Sequence, residues 1–234
     1  MQARIKTLGF ILAIIGLGFV VGGGVAYAKS QAGYKSLQAF SAQQNVTLAY
    51  NEDGQLTDRG ETEGAEAIMA LLTEDWDYPV VEADLDPNDP LVNTASEYMF
   101  QMATVAYHTL TGTQTVVLDE DVEYNGETFE AGSYDVDVDG RYWTAFDREH
   151  PIDGLVRAQA WNGTTHGLIG ELGVGTVTHS ALQMVLALAG MFAGIGAVLI
   201  VAGFGLVWVG RSKTQPVTIE AQELESSQRD LATI

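Results

Sequence analysis

The chain contains no cysteine. That removes a disulfide framework, a thiolate metal site and a cysteine nucleophile in one step. Basic residues are also scarce, 11 Lys and Arg against 31 Asp and Glu, for a formal charge of -20. The balance argues against a nucleic-acid partner, because phosphate binding needs a Lys/Arg footprint. Familiar catalytic signatures are missing as well. His179-Ser180 lacks a G-x-S-x-G elbow, and His108, His150, His166 and His179 do not fall at H-E-x-x-H spacing. The glycines from Gly170 to Gly175 have neither a following Lys nor a preceding strand, so they are not a phosphate loop. No repeat with a period of roughly 20 to 50 residues is apparent.

Two long uncharged runs are present instead. Leu8 to Ala28 has 21 residues without a charge, and Ala181 to Trp208 has 28 whose only strongly polar side chain is Gln183. At 1.5 Å of rise per residue the shorter run covers about 31 Å, enough for a hydrocarbon core. The longer one is expected to tilt or to begin in the headgroup zone. A buried soluble-core helix is a poor explanation for two such runs in so small a chain. The first run has a rival reading, since Arg4, Lys6 and the small-x-small site Ala26-Tyr27-Ala28 have the form of a cleaved signal peptide. Its length favours a retained helix. Gly18 with Gly22, and Gly190 with Gly194, form small-xxx-small pairs expected to pack the two helices.

Arg4, Lys6, Arg211 and Lys213 lie on one side of the runs and Lys29 and Lys35 on the other. The positive-inside bias then puts both termini in the cytoplasm, with residues 29–180 outside the plasma membrane. That segment carries 27 acidic and 6 basic side chains, so it holds nearly all the imbalance. The division is thus residues 1–28 as first span or signal, 29–180 as an acidic extracytoplasmic domain, 181–210 as second span, and 211–234 as a polar cytoplasmic tail expected to be disordered.

The predicted fold class is a membrane protein of α+β type. Two transmembrane helices flank a domain of about three helices and a small antiparallel β-meander. Ser30 to Gln44 should continue the first span as helix. Thr47–Tyr50 and Gln55–Thr57 flank a hairpin turn. Ala65, Ile68, Met69, Leu72 and Trp76 have helical periodicity, with Thr62 as the expected N-cap. Thr94-Ala95-Ser96-Glu97 matches a capping box opening a helix that ends near Gly112. Strands are expected at Thr115–Leu118, about the Asn125-Gly126 turn, at Tyr134–Val138 and at Tyr142–Phe146. Ile152 to Gly175 reads as short helix and loop.

Asp135, Asp137, Asp139 and Gly140 spell D-x-D-x-D-G, the first half of a calcium loop. The closing Glu should fall where Phe146 stands, so an exposed strand edge competes with a Ca2+ site. His150, His166 and His179 would be the ligands of a metal-dependent enzyme, but their spacing matches no compact motif. Trp143, Trp161 and the tyrosines fit core or membrane interface better than a ligand cage.

In layout the chain resembles small actinobacterial envelope proteins, with a glycine-rich first span, an extracytoplasmic insert and a glycine-rich second span ending in Trp and basic residues. His150-Pro151-Ile152-Asp153-Gly154 and Leu172-Gly173-Val174-Gly175-Thr176 share that likeness. Some such proteins are described as aromatic ring-opening dioxygenases, which would imply iron held by a 2-His-1-carboxylate set. The histidines here present no such set, and no catalytic residue is carried over. The sequence therefore points to a non-enzymatic membrane protein without a required cofactor, an accessory or scaffolding component of an envelope complex. Its partners would be the bilayer and either another membrane protein or a second copy. Calcium binding or sensing is the alternative.

Overall fold

The computed structural model describes residues 2–211, so the tail expected to be disordered lies outside the described residues from 212 on. The chain folds as two compact units. One joins the amino-terminal residues up to 26 to those from 188 on, and the other is formed by residues 27–187. Two helices pass through both, α1 (Gln2–Gln44) and α5 (Gly163–Val209). Each is long and apolar enough to cross a membrane, and only 17% and 11% of their most apolar stretches are buried by protein.

In the first unit α1 and α5 run antiparallel with their backbones in close approach. A methyl group on Gly9 would sit 2.5 Å from the Gly203 carbonyl oxygen, one on Gly16 2.6 Å from that of Gly196, and one on Gly23 2.8 Å from that of Ala189. Phe19 and Phe192 meet edge to face, 5.6 Å between ring centres. The seam residues recur every seventh position, at 9, 16 and 23 on α1 and at 196 and 203 on α5, with Gly210 just past the end of that helix. That period keeps one stripe facing a partner in a left-handed pair. The predicted pairs are not on it. A Cβ added at Gly18, Gly22, Gly190 or Gly194 would meet nothing within 4 Å. The physical reason is helical phase. Gly18 and Gly22 lie two and six positions after Gly16, so neither shares its face.

The second unit contains the ends of α1 and α5 and everything between. β1 (Ala49–Tyr50) and β2 (Leu56–Thr57) pair antiparallel around Asn51, whose side chain accepts from the backbone N–H of Asp53 and Gln55. α2 (Thr62–Ala70) buries Ala65 and Ile68; its N-cap is Glu61, which makes no side-chain capping bond, so Thr62 is the first helical residue rather than the cap. α3 (Ala95–Leu110) begins at the predicted capping box. Glu97 Oε2 accepts from the N–H groups of Asn93 and Thr94 and from the Thr94 hydroxyl, while Thr94 Oγ1 accepts from the Glu97 N–H.

The β region is not a meander. β3 (Thr113–Leu118) pairs antiparallel with β6 (Gly132–Asp137), and the hairpin of β4 (Val122–Tyr124) and β5 (Glu127–Phe129) is a separate ribbon inserted between them. Asn125 and Gly126, with φ of 53° and 85°, make the expected primed turn. Val116 and Leu118 point into the core while Asp135 and Asp137 stay exposed, the two-faced pattern expected.

Tyr142–Phe146 is not a strand. Asp139 and Gly140 turn the chain with φ of 51° and 70°, and Arg141 then folds back to donate to the Val138 and Asp137 carbonyls and to Asp153. The stretch before the second apolar run, expected as short helix and loop, holds the short helix but continues as helix where loop was expected. α4 (Asp153–Ala160) is followed at once by α5, whose first N–H groups, those of Thr164 and Thr165, donate to the Asn162 side chain. Gly170, Gly173 and Gly175 are carried inside α5. Gly175 has a reason to be there, because a Cβ would lie 2.6 Å from the Tyr98 ring.

Two buried clusters fill this unit. Ile68, Leu72, Tyr98, Phe100 and Ala103 centre one, and Val116, Val138, Phe146, Val156 and Trp161 the other.

Candidate functional site

Three of the four tryptophans converge on one cavity of about 310 Å³, which Trp76, Tyr142, Trp143, Trp161 and His166 line together with Met102, Ala106 and Ile169. Each arrives for a local reason. α2 ends in a widened π-type turn over Leu71–Asp75, in which the Trp76 N–H reaches back to the Leu71 carbonyl, and this swings Trp76 off the helix. Tyr142 and Trp143 sit on the loop that the Asp139-Gly140 turn creates. Trp161 closes α4, donating its indole N–H to the Arg141 carbonyl at 3.0 Å, and His166 follows on the first turn of α5.

The rings hold one another. Trp76 Nε1 donates to the Tyr142 hydroxyl at 2.8 Å, and Tyr142 stacks on Trp161 at 5.6 Å and 24°. His166 meets Trp161 at 35° and Trp143 at 81°, so these walls form a cup rather than a parallel slot. Trp161 is buried, but Trp143 and Tyr142 remain 41% and 40% exposed at the mouth.

Charge around this cup departs from the rest of the segment. Arg141, Arg148 and Arg157 are three of the six basic residues between 29 and 180. Arg141 is held by Asp153 at 2.7 Å and lies over Phe146. The guanidinium groups of Arg148 and Arg157 lie 5.4 and 5.1 Å from the centre of the Trp143 ring, and Arg157 Nε donates to the Trp143 carbonyl. Among the described residues neither pairs with a carboxylate; the two ion pairs are His108–Asp58 and Arg141–Asp153.

Of the residues singled out as metal ligands, His166 lines the cup, while Asp135, Asp137, Asp139, His150 and His179 are not among its lining residues. Asp135 accepts from the Thr115 hydroxyl at 2.6 Å and Asp137 from that of Thr113 at 2.5 Å, both across the β3–β6 ribbon, while Asp139 sits in the turn beyond it. His150 Nδ1 accepts from the N–H groups of Ile152 and Asp153 and its ring packs on Tyr124 and Phe129. His179 is buried, its Nδ1 accepting from the Ala95 N–H at 3.2 Å and its ring edge on to Tyr34. Burial pushes its pKa down, against a weaker pull upward from Asp84. Among the described residues no three His, Asp or Glu side chains gather as a metal-holding group.

An apolar groove of about 590 Å³ also lies between α1 and α5 within the second unit, along Leu37, Phe40, Glu171, Val174 and Leu182. Its polar lining is limited to Ser36, Glu171 and Thr178. The aromatic cup is lined instead by four large aromatic side chains and His166, and little in the sequence announces it. Its side chains come from positions 76 to 169, and the local hint is limited to two tryptophans on either side of Arg148 and Arg157.

Comparison with protein-family models, with curated proteins and with solved structures finds no match, so the cup has to be read from its own residues.

Proposed function

We propose that this chain is a non-enzymatic integral membrane protein that crosses the plasma membrane twice, keeps both ends in the cytoplasm, and displays residues 29–180 outside as an accessory or scaffolding part of an envelope complex. The observation that carries the reading is the exposure of the two apolar stretches. Ile14, Val198, Val201 and Trp208 are 69%, 68%, 72% and 73% exposed. A helix of a water-soluble core would bury such residues, whereas in a bilayer lipid covers them. Retention of the first helix is supported by Gly9, Gly16 and Gly23, whose backbones pack directly on α5. A cleaved signal peptide has no use for a fitted partner.

The lack of cysteine makes the test clean. Glu127→Cys at the β-hairpin and Gln2→Cys at the amino end each introduce a single thiol. A membrane-impermeant maleimide added to intact cells is expected to label the first and to reach the second only after permeabilisation. Labelling with the opposite order, or equal labelling of both in a freely soluble protein, overturns the topology. For the scaffolding role, mild detergent extraction should bring out a stoichiometric partner or a homo-oligomer. A monomer that carries nothing with it argues against that role.

A further inference from the structure

We infer that the aromatic cup of Trp76, Tyr142, Trp143, Trp161 and His166 is a binding site for an anionic sugar, such as a uronic-acid unit. Such binding is independent of the membrane topology and of the scaffolding role.

Four features support it. The first is size. A cavity of about 310 Å³ is at the small end of ligand pockets and suits one sugar ring rather than a chain. The second is wall chemistry. Aromatic faces are electron-rich and attract the weakly positive C–H groups on a sugar face. Here the His166 ring lies at 35° to one wall and 81° to another. A flat aromatic ligand wants two parallel plates; a puckered ring fits a cup. The third is exposure. Trp143 and Tyr142 are left 41% and 40% open at the rim. They are not interfacial anchors, since His166 stands fifteen residues before the apolar run at Ala181, about 22 Å of helix away.

The fourth feature fixes the sign of the ligand's charge. Arg148 and Arg157 stand over Trp143 with no carboxylate partner among the described residues, in a segment with 27 acidic side chains. Carboxylates are abundant in the segment, yet these two guanidinium groups stand beside Trp143, one of the lining residues, without an ion pair among the described residues. They would repel a cationic ligand and offer paired N–H donors to a carboxylate. Tyr142, whose oxygen already accepts from Trp76, keeps its own O–H to donate to a ring hydroxyl.

The test uses the full-length protein in detergent micelles, with intrinsic tryptophan fluorescence and calorimetry as readouts. Sodium glucuronate is expected to bind saturably, and neutral glucose at least tenfold more weakly. A glucuronate-terminated oligosaccharide separates the two sources of this chemistry. Binding tighter than that of the free acid places the natural ligand on a glycan, and equal binding points to the free sugar acid. Arg148→Gln touches only an exposed side chain and should weaken glucuronate at least fivefold with the fold intact by circular dichroism. Trp143→Ala should abolish binding. No saturable signal with glucuronate, an unchanged affinity in Arg148→Gln, or tighter binding of sodium benzoate than of glucuronate would each overturn the proposal.

Discussion

In the helix pair of residues 2–26 and 188–209, backbone meets backbone. Glycines at 9, 16, 196 and 203 bring carbonyl oxygens to where a side chain would stand, and large apolar residues face outward. In the unit of residues 27–187 two clusters of large side chains are buried, and chain ends and turns are secured one by one. Thr94 and Glu97 cap α3, Asn162 caps α5 and Asn51 ties a hairpin. On the proposed membrane reading, the contrast follows from solvent. In water, burying apolar surface is the main driving force and every exposed helix end competes with hydration. In lipid, apolar burial gives no advantage, so close packing of small residues takes over. On that reading one chain obeys two sets of rules, and substitutions should be felt differently under each.

The largest effect is expected in the inward-facing core. Leu72 is 0% exposed, and Leu72→Ala should lower the unfolding free energy of the domain by about 3 kcal/mol through lost transfer energy and a residual cavity. Thermal unfolding of detergent-solubilised protein, followed by tryptophan fluorescence, measures it. The same kind of truncation on the outward face of the pair, Val201→Ala, should change stability by less than about 0.5 kcal/mol, since Val201 is 72% exposed. If the two truncations proved equal, the contrast would collapse.

The reverse substitution should invert the ranking. Adding one methyl at Gly203 forces it to 2.5 Å from the Gly9 carbonyl oxygen, and no rotamer can relieve a Cβ. Gly203→Ala is expected to cost about 2 kcal/mol. Gly18→Ala faces open space and should be neutral or slightly stabilising, because Ala is the better helix former. Resistance of the helix pair to proteolysis in micelles separates the two variants.

Those glycines also mark where the sequence is and is not legible. Both apolar runs, the capping box at Thr94–Glu97, the Asn125-Gly126 turn and the alternating faces of β3 and β6 can be read directly, because each rests on local chemistry within a few residues. The packing seam is not found by looking for glycines four apart, since it repeats every seven; the spacing 9, 16, 23 is visible but belongs to a different helix crossing. The strand expected at Tyr142–Phe146 is absent because periodicity does not register a long-range tether, here Arg141 to Asp153. The stretch up to Gly175 reads as partly loop because propensity ignores what a neighbour requires, here the Tyr98 ring on Gly175. The aromatic cup is the least legible, being assembled from a helix end, a loop and a helix junction far apart in sequence.

A smaller effect sharpens the picture of how the unit of residues 27–187 is secured. Thr94→Ala removes the side chain that accepts from the Glu97 N–H and should destabilise by about 1 kcal/mol. Thr94→Ser keeps the acceptor and should restore most of that. No equivalent capping change within the apolar stretches is expected to matter.

The smallest effect in the unmodified protein is its pH response between the usual carboxylate range and neutrality, because two buried groups oppose each other there. Burial first of all raises the pKa of Glu97, with the hydrogen bonds from Asn93 and Thr94 pulling the other way. The folded state then holds the Glu97 proton at pH values where the unfolded chain has lost it, so this group's contribution falls as pH rises above the ordinary glutamate range. His179 has the opposite sign. Burial lowers its pKa from 6.5, so below that pH the unfolded chain binds a proton that the folded state resists, and stability falls on acidification. Asp86 and Asp147, both held below their usual 3.8, titrate lower still and stay out of this window. Melting temperatures measured from pH 4.5 to 7.5 should therefore vary little in the parent protein. Glu97→Gln should unmask a loss of stability on acidification, and His179→Gln a gain. Identical profiles in all three would mean that neither group is held away from water as its surroundings require, and that the inward-facing core is wetter than its packing implies.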